Sequence, residues 1–90
     1  MTDLSIPAEL LKADKPQEAL KILNDYAASE VPDAELLFLR GKTYWRLGLR
    51  DLATNDYAAA AALDPGGPAS RALENAVDIA GFFNPDIFNP

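Results

Sequence analysis

The sequence predicts an all-α chain of about five helices, paired antiparallel into a short α-solenoid, and three observations carry that expectation. Proline and glycine cut the chain into helix-length pieces. Within each piece the apolar residues recur at helical spacing, with no strand-like alternation. The chain also resembles itself: laid over its own sequence with Leu10 on Tyr44, it places Ala13 on Leu47, Ala19 on Ala53, Leu23 on Tyr57 and Tyr26 on Ala60, with the turn Asp14-Lys15 on Gly48-Leu49. One helix pair in a shift of that length is the period of a helical solenoid, in which stacked pairs bury a continuous core.

Each element has its own local reasons. Pro7 opens a first short helix, about 7–13, because proline fits a helical first turn where its missing N–H is not needed. Asp14 and Lys15 make a turn. Pro16 opens the second helix, to about residue 29, with Ala19, Leu20, Ile22, Leu23, Tyr26 and Ala27 at helical spacing. Val31-Pro32-Asp33 breaks it. Asp33 caps the third helix, about 34–47, and Glu35 suits its positive end. Gly48 stops that helix in the left-handed conformation. The fourth runs from about 51 to 63 and includes five consecutive alanines. Asp64-Pro65-Gly66-Gly67-Pro68 is a strong break. A fifth helix, about 69–82, follows, and residues 84–90, with two Asn-Pro pairs, read as irregular. Short turns make sequential helices antiparallel neighbours.

Residues 34–65 carry a family resemblance. They read Leu37-x2-Arg40-Gly41-x2-Tyr44, then Ala53-x3-Tyr57, then Asp64-Pro65. This is similar to the tetratricopeptide repeat (TPR), whose pattern is W-x2-L-G-x2-Y, then A-x3-F, then P. Gly48, Ala60 and Leu63 also stand where the family favours glycine, alanine and an apolar residue. Leu37 replaces the family's aromatic, and Arg40 replaces its leucine, which is expected to loosen the first helix contact slightly. The resemblance divides the single domain into a truncated repeat at 7–33, a full repeat at 34–67 and a capping helix at 68–83. It implies a protein–protein interaction module, with the first helix of each pair lining a concave groove.

Independent of the resemblance, a glycine inside a helix costs about 1 kcal/mol against alanine, so Gly41 needs a reason. Close approach of two helix backbones is that reason, with Ala53 and Ala60 as the small partners and Tyr44 and Tyr57 filling the volume beside them. On a helical projection Leu36, Leu37, Arg40, Gly41, Tyr44, Leu47 and Gly48 form one side, the packing side. Phe38, Lys42, Trp45, Arg46 and Leu49 form the other, an aromatic and basic face. From Leu36 to Arg50 there are four basic residues and no acidic one, half the positive charge of the chain. The candidate ligand-binding residues are Phe38 and Trp45 for apolar contact and Lys42 and Arg46 for pairing with carboxylates. Lys12 on the first helix could add a third cation. The expected partner is a peptide or helix segment of another protein, acidic segments included. The alternative is a self-assembling element, with an array end or the phenylalanine-rich tail as the contact. In the tail, Phe83, Ile87 and Phe88 are expected to fold back over the last helix pair or to dock into a second molecule.

Composition narrows the function classes. Eight Lys and Arg against fourteen Asp and Glu give a formal net charge of −6, which disfavours nucleic acid and anionic membranes as partners. There is no cysteine and no histidine, which removes disulfides, thiolate chemistry, the commonest general base and the commonest metal ligand. No cofactor or metal is expected, and no enzymatic activity. Gly41-Lys42-Thr43 resembles the end of a phosphate-binding loop, but Leu36 stands where that motif needs glycine. Acidic pairs such as Asp51 with Asp56 are expected on solvated helix faces. No apolar stretch approaches the ~20 residues of a membrane span, and the first residues lack a basic leader with an apolar run. A complete, cytoplasmic protein, monomeric or weakly dimeric, is the expectation.

Overall fold

The computed structural model describes the backbone of residues 3–83 and the side chains of residues 3–76. Those residues form five helices and no strand: α1 Ser5–Lys12, α2 Pro16–Ser29, α3 Ala34–Arg46, α4 Arg50–Leu63 and α5 Pro68–Phe83. The fold is all-α, and α1 with α2 and α3 with α4 make the two helix pairs, with α5 packed on α4. The expected contacts of Phe83, Ile87 and Phe88 lie outside the described side chains.

The boundaries repeat with the period of the sequence. Pro16–Ser29 and Arg50–Leu63 start and stop one such period apart, as do the ends of α1 and α3 and the starts of α3 and α5. The chemistry at each boundary explains why. Pro16 stands in the first turn of α2, and the Asp33 carboxylate accepts from the Leu36 N–H at 2.9 Å to cap α3. Gly48 ends α3 with φ of 80°, so that the Leu49 N–H reaches back to the Tyr44 carbonyl at 2.9 Å. The same turn closes α1: the Lys15 N–H reaches the Leu10 carbonyl at 2.8 Å. There the left-handed position is held by Asp14, with φ of 62°, a conformation that costs an L-residue about 1 kcal/mol or more.

Helix α1 begins two residues before the expected Pro7. The Asp3 carboxylate accepts the Ser5 N–H at 2.9 Å and the Ser5 hydroxyl, which organises an extra half-turn. These hydrogen bonds from Ser5 hold the Asp3 carboxyl below the usual carboxylate range.

Two apolar clusters share α3. Leu11, Leu23, Leu36 and Leu39 form the first, with Leu4, Ala8, Tyr26 and Ala27 packed against it. Leu37, Ala60 and Ala69 form the second, with Ala34, Phe38 and Ala61. Each buried leucine contributes about 1.5–3 kcal/mol by leaving water. The helical projection assigns α3 one packing side. The structure buries Leu39 and Thr43 as well, because α3 is covered by α2 on one flank and α4 on the other. The buried Thr43 hydroxyl donates to the Leu39 carbonyl at 2.8 Å, so it is not left unpaired.

Gly41 sits where α3 meets α4. A Cβ there would fall 2.7 Å from ring carbons Cδ1 and Cε1 of Tyr57 and 3.3 Å from the Ala53 carbonyl oxygen. Ala53 is fully buried beside it, which is the close approach expected of this glycine, while the equally buried Ala60 packs on Leu37 and Ala69.

Two expectations about charge are corrected. Asp56 is not on a solvated face but 6% exposed, and Arg40 does not loosen the helix contact. The two form a bidentate ion pair, Arg40 Nε to Asp56 Oδ2 at 2.7 Å and Nη2 to Oδ1 at 3.0 Å. Arg40 Nη1 also donates to Asn24 Oδ1 on α2 at 3.2 Å, so one guanidinium ties α2, α3 and α4 together. The hydrogen bonds that Arg40 donates to the Asp56 carboxylate hold its pKa above the ordinary value, against the opposing effect of burial.

Candidate functional site

Helix spacing sets Phe38 and Trp45 at the edge of the buried side of α3, beside Leu37 and Gly41, and turns Lys42 and Arg46 further out toward solvent. Phe38 and Trp45 are half-buried, and Lys42 and Arg46 are exposed. Phe38 lies over Tyr57 of α4, with ring centroids 6.0 Å apart and planes tilted by 44°. The Lys42 ammonium stands 5.3 Å from the Phe38 centroid, and the Arg50 guanidinium 4.7 Å from the Trp45 centroid. Both are cation–π distances.

Helices α3 and α5 approach within 8 Å, Cα to Cα, and leave a narrow groove with Tyr57 and Ala60 of α4 at its floor. Two cavities open along it. One, of about 300 Å³, is lined by Trp45 and Tyr57 on one side and Ala72, Asn75 and Ala76 of α5 on the other. The second, of about 160 Å³, is lined by Phe38, Ala60, Pro68 and Ala69, with the carboxylates of Glu35 and Asp64 beside them. Burial alone pushes the Tyr57 phenol up from its usual pKa, so the groove floor stays uncharged.

Of the five expected site residues, Phe38 and Trp45 line the two cavities, Lys42 stands over Phe38, and Arg46 faces Asp14 of the α1–α2 turn. Lys12 is not among them in any contact: its ammonium pairs with Glu9 on its own helix at 3.8 Å, and both side chains are largely exposed. Arg46 stays on the surface but carries a partner, Asp14 Oδ1 at 3.3 Å. Of the basic run on α3 and its turn, Arg40 is consumed by Asp56, Arg46 faces Asp14, and Arg50 stacks on Trp45. Lys42 stacks on Phe38 with no ion pair to a carboxylate among the described residues. Sequence reasoning missed Tyr57 as the groove floor and Arg50 as the cover of Trp45. The alignment of the chain on itself places Tyr57 in the packing set but cannot show that one edge of a buried ring stays open to the groove.

The Asp14 turn yields a test of its own. Asp14→Gly removes the left-handed penalty and the exposed ion pair together. The pair is worth at most about 1 kcal/mol and glycine recovers about 1 kcal/mol at this φ, so the urea midpoint is expected to stay within a few tenths of a molar unit. Asp14→Ala loses the pair and keeps the strain, and is expected to be the less stable of the two.

No helix among the described residues is long and apolar enough to cross a membrane, and none of their acidic residues cluster in threes as a metal site would need. No family model matches the sequence, and no curated protein matches it. Among solved structures, the solution NMR structure of protein BF1650 from Bacteroides fragilis is similar, with a TM-score of 0.82 and 33% sequence identity. The match covers 99% of this chain and 91% of that one, so the five-helix arrangement is shared nearly end to end, and the chain belongs to the same family as the Bacteroides fragilis protein.

Proposed function

We propose that the chain is a TPR-like repeat protein that binds a segment of another protein in the α3–α5 groove, without catalysis. The observation that carries this reading is a narrow groove whose walls present Phe38 and Trp45 half-buried, with Lys42 held beside them and no carboxylate partner of its own among the described residues. Rigid aromatic side chains around a small cavity supply contact area at low entropic cost, and an adjacent cation adds selectivity. The repeat reading is supported by helix boundaries that recur at the period of the sequence and by the Gly41–Tyr57–Ala53 contact at the family's small and aromatic positions.

The double substitution Lys42→Glu/Arg46→Glu is expected to weaken binding of acidic, apolar-anchored peptides at least tenfold, because it turns charge attraction into repulsion. Both residues are exposed, so turning the Asp14–Arg46 pair into a repulsion should cost no more than about 1 kcal/mol of stability. Equal affinity of the two proteins in a fluorescence titration removes the groove from the function.

A second reading, self-assembly, draws on exposed apolar side chains outside the two cavities, Ile6 on α1, Val31 after α2, and Leu52 and Leu63 on α4. A sedimentation profile that is independent of concentration dismisses it.

A further inference from the structure

Helices α3 and α5 run in the same direction: the smaller cavity joins the start of α3 to Pro68 and Ala69, and the larger joins Trp45 to Ala72, Asn75 and Ala76. The Trp45 cavity is thus the one nearer the end of α5 at Phe83. It measures about 300 Å³ and is lined by two aromatic rings, two alanines and Asn75, with no charged side chain. Such walls favour an apolar occupant, which removes its own surface and theirs from water together. The chain continues past α5 as Asn84-Pro85-Asp86-Ile87-Phe88-Asn89-Pro90, outside the described residues. Helices usually end at or before the residue that precedes a proline, so Asn84-Pro85 takes the chain off the helix axis directly after Phe83. Ala76 stands about 10 Å back from Phe83 along that axis, and Ala69, at the Phe38 cavity, about 21 Å back. Ile87 and Phe88 can reach roughly 13–17 Å from Phe83 in extended chain. That spans the distance to the Trp45 cavity and falls short of the other.

We infer that Ile87 and Phe88 of the same molecule fill the Trp45 cavity and leave the Phe38 cavity open. A tether this short holds its ligand at an effective concentration of about millimolar, so an affinity that is negligible between separate molecules suffices. Residues 1 and 2, the other residues outside the described part, precede α1, which packs on α2 rather than beside this cavity. The consequence rests on the proposed docking role of the groove: residues 84–90 are an internal competitor, and a partner that uses Trp45 has to displace them.

The chain has one tryptophan and no cysteine, so Asn89→Cys accepts a single nitroxide, a quencher that acts on Trp45 fluorescence near contact. The expected result in the full chain is a loss of about half the fluorescence or more, relative to the same protein with its nitroxide reduced. The loss should be unchanged by dilution or by excess unlabelled protein, and it should vanish when Ile87→Ser/Phe88→Ser is added. No quenching, or quenching that survives the double substitution, overturns the inference. Quenching that disappears under excess unlabelled protein gives the cavity to a second copy and overturns it too. The labelled single variant decides the contact whether or not the double variant folds. Competition is read with a synthetic peptide whose one phenylalanine is flanked by glutamates. It is expected to bind the Ile87→Ser/Phe88→Ser protein about fivefold more tightly than the wild type, or better. Equal binding to both proteins overturns the competitor role and leaves the docking role standing. Binding to neither overturns the docking role, while the quenching still decides what fills the cavity.

Discussion

Asp56→Ala is expected to lower the unfolding free energy by about 3 kcal/mol, a large share of the total for a helical array this short. The carboxylate is 6% exposed and takes both arms of the Arg40 guanidinium at 2.7 and 3.0 Å. Without it, a cation only 20% exposed at its side chain retains Asn24 at 3.2 Å and the face of Tyr44 at 5.7 Å. Neither neutralises the charge. The cost therefore comes from the stranded guanidinium more than from the lost attraction. Arg40→Leu in the Asp56→Ala background removes that stranded charge and puts the family's usual apolar residue at position 40. It should recover most of the loss, because buried ion pairs contribute little net stability over apolar packing. Urea denaturation of the two single variants and the double variant forms a cycle that measures the coupling. A loss below about 1 kcal/mol for Asp56→Ala, the range of surface pairs, would show that the pair is solvated.

Gly41→Ala is expected to destabilise by about 1–2 kcal/mol, the balance of two opposing effects. Alanine gains up to about 1 kcal/mol in helix propensity, but its methyl arrives 2.7 Å from the Tyr57 ring and 3.3 Å from the Ala53 carbonyl. Overpacking of this kind costs roughly 1–3 kcal/mol. The contact is with the body of a ring that is 5% exposed, so relief requires the ring or α4 to move. Tyr57 is also the groove floor, and its displacement changes the shape of the Trp45 cavity. The same variant should thus weaken ligand binding, whereas Asp14→Gly, far from Tyr57 in the chain, should not. A Gly41→Ala protein as stable as the wild type would mean that the helices separate at no cost, contrary to the packing described.

The features legible in the sequence are those written in local chemistry. Pro16 in a first turn, Asp33 as a cap and Gly48 at a left-handed stop each set a helix boundary within a few residues, whatever surrounds them. Gly41 is legible for another reason: a glycine in a helix interior has a cost that only a close neighbour explains. The tertiary partners of α3 are harder to read. A single projection cannot show that a helix is flanked on two sides, so it leaves Leu39 and Thr43 on neither face. Asp56 carries a signal that a search for acidic pairs passes over. It stands three residues after Ala53 and four before Ala60, on the buried stripe of α4, while Arg40 stands at an apolar position of the paired helix. Opposite charges at two such positions predict each other. The Asp14–Arg46 pair depends on how the first turn lies over the end of α3, and the two cavities depend on α5, so neither is encoded in α3 alone.

The docking claim is tested most directly by selection from a random peptide library displayed against the wild-type protein and, in parallel, against Trp45→Ala. Trp45 is half-buried and its loss leaves the Leu23 and Leu37 clusters untouched, so the variant should fold. The wild type is expected to enrich segments that combine apolar with acidic residues, and Trp45→Ala is expected not to retain them. A library that yields the same sequences on both proteins, or none on either, would contradict it.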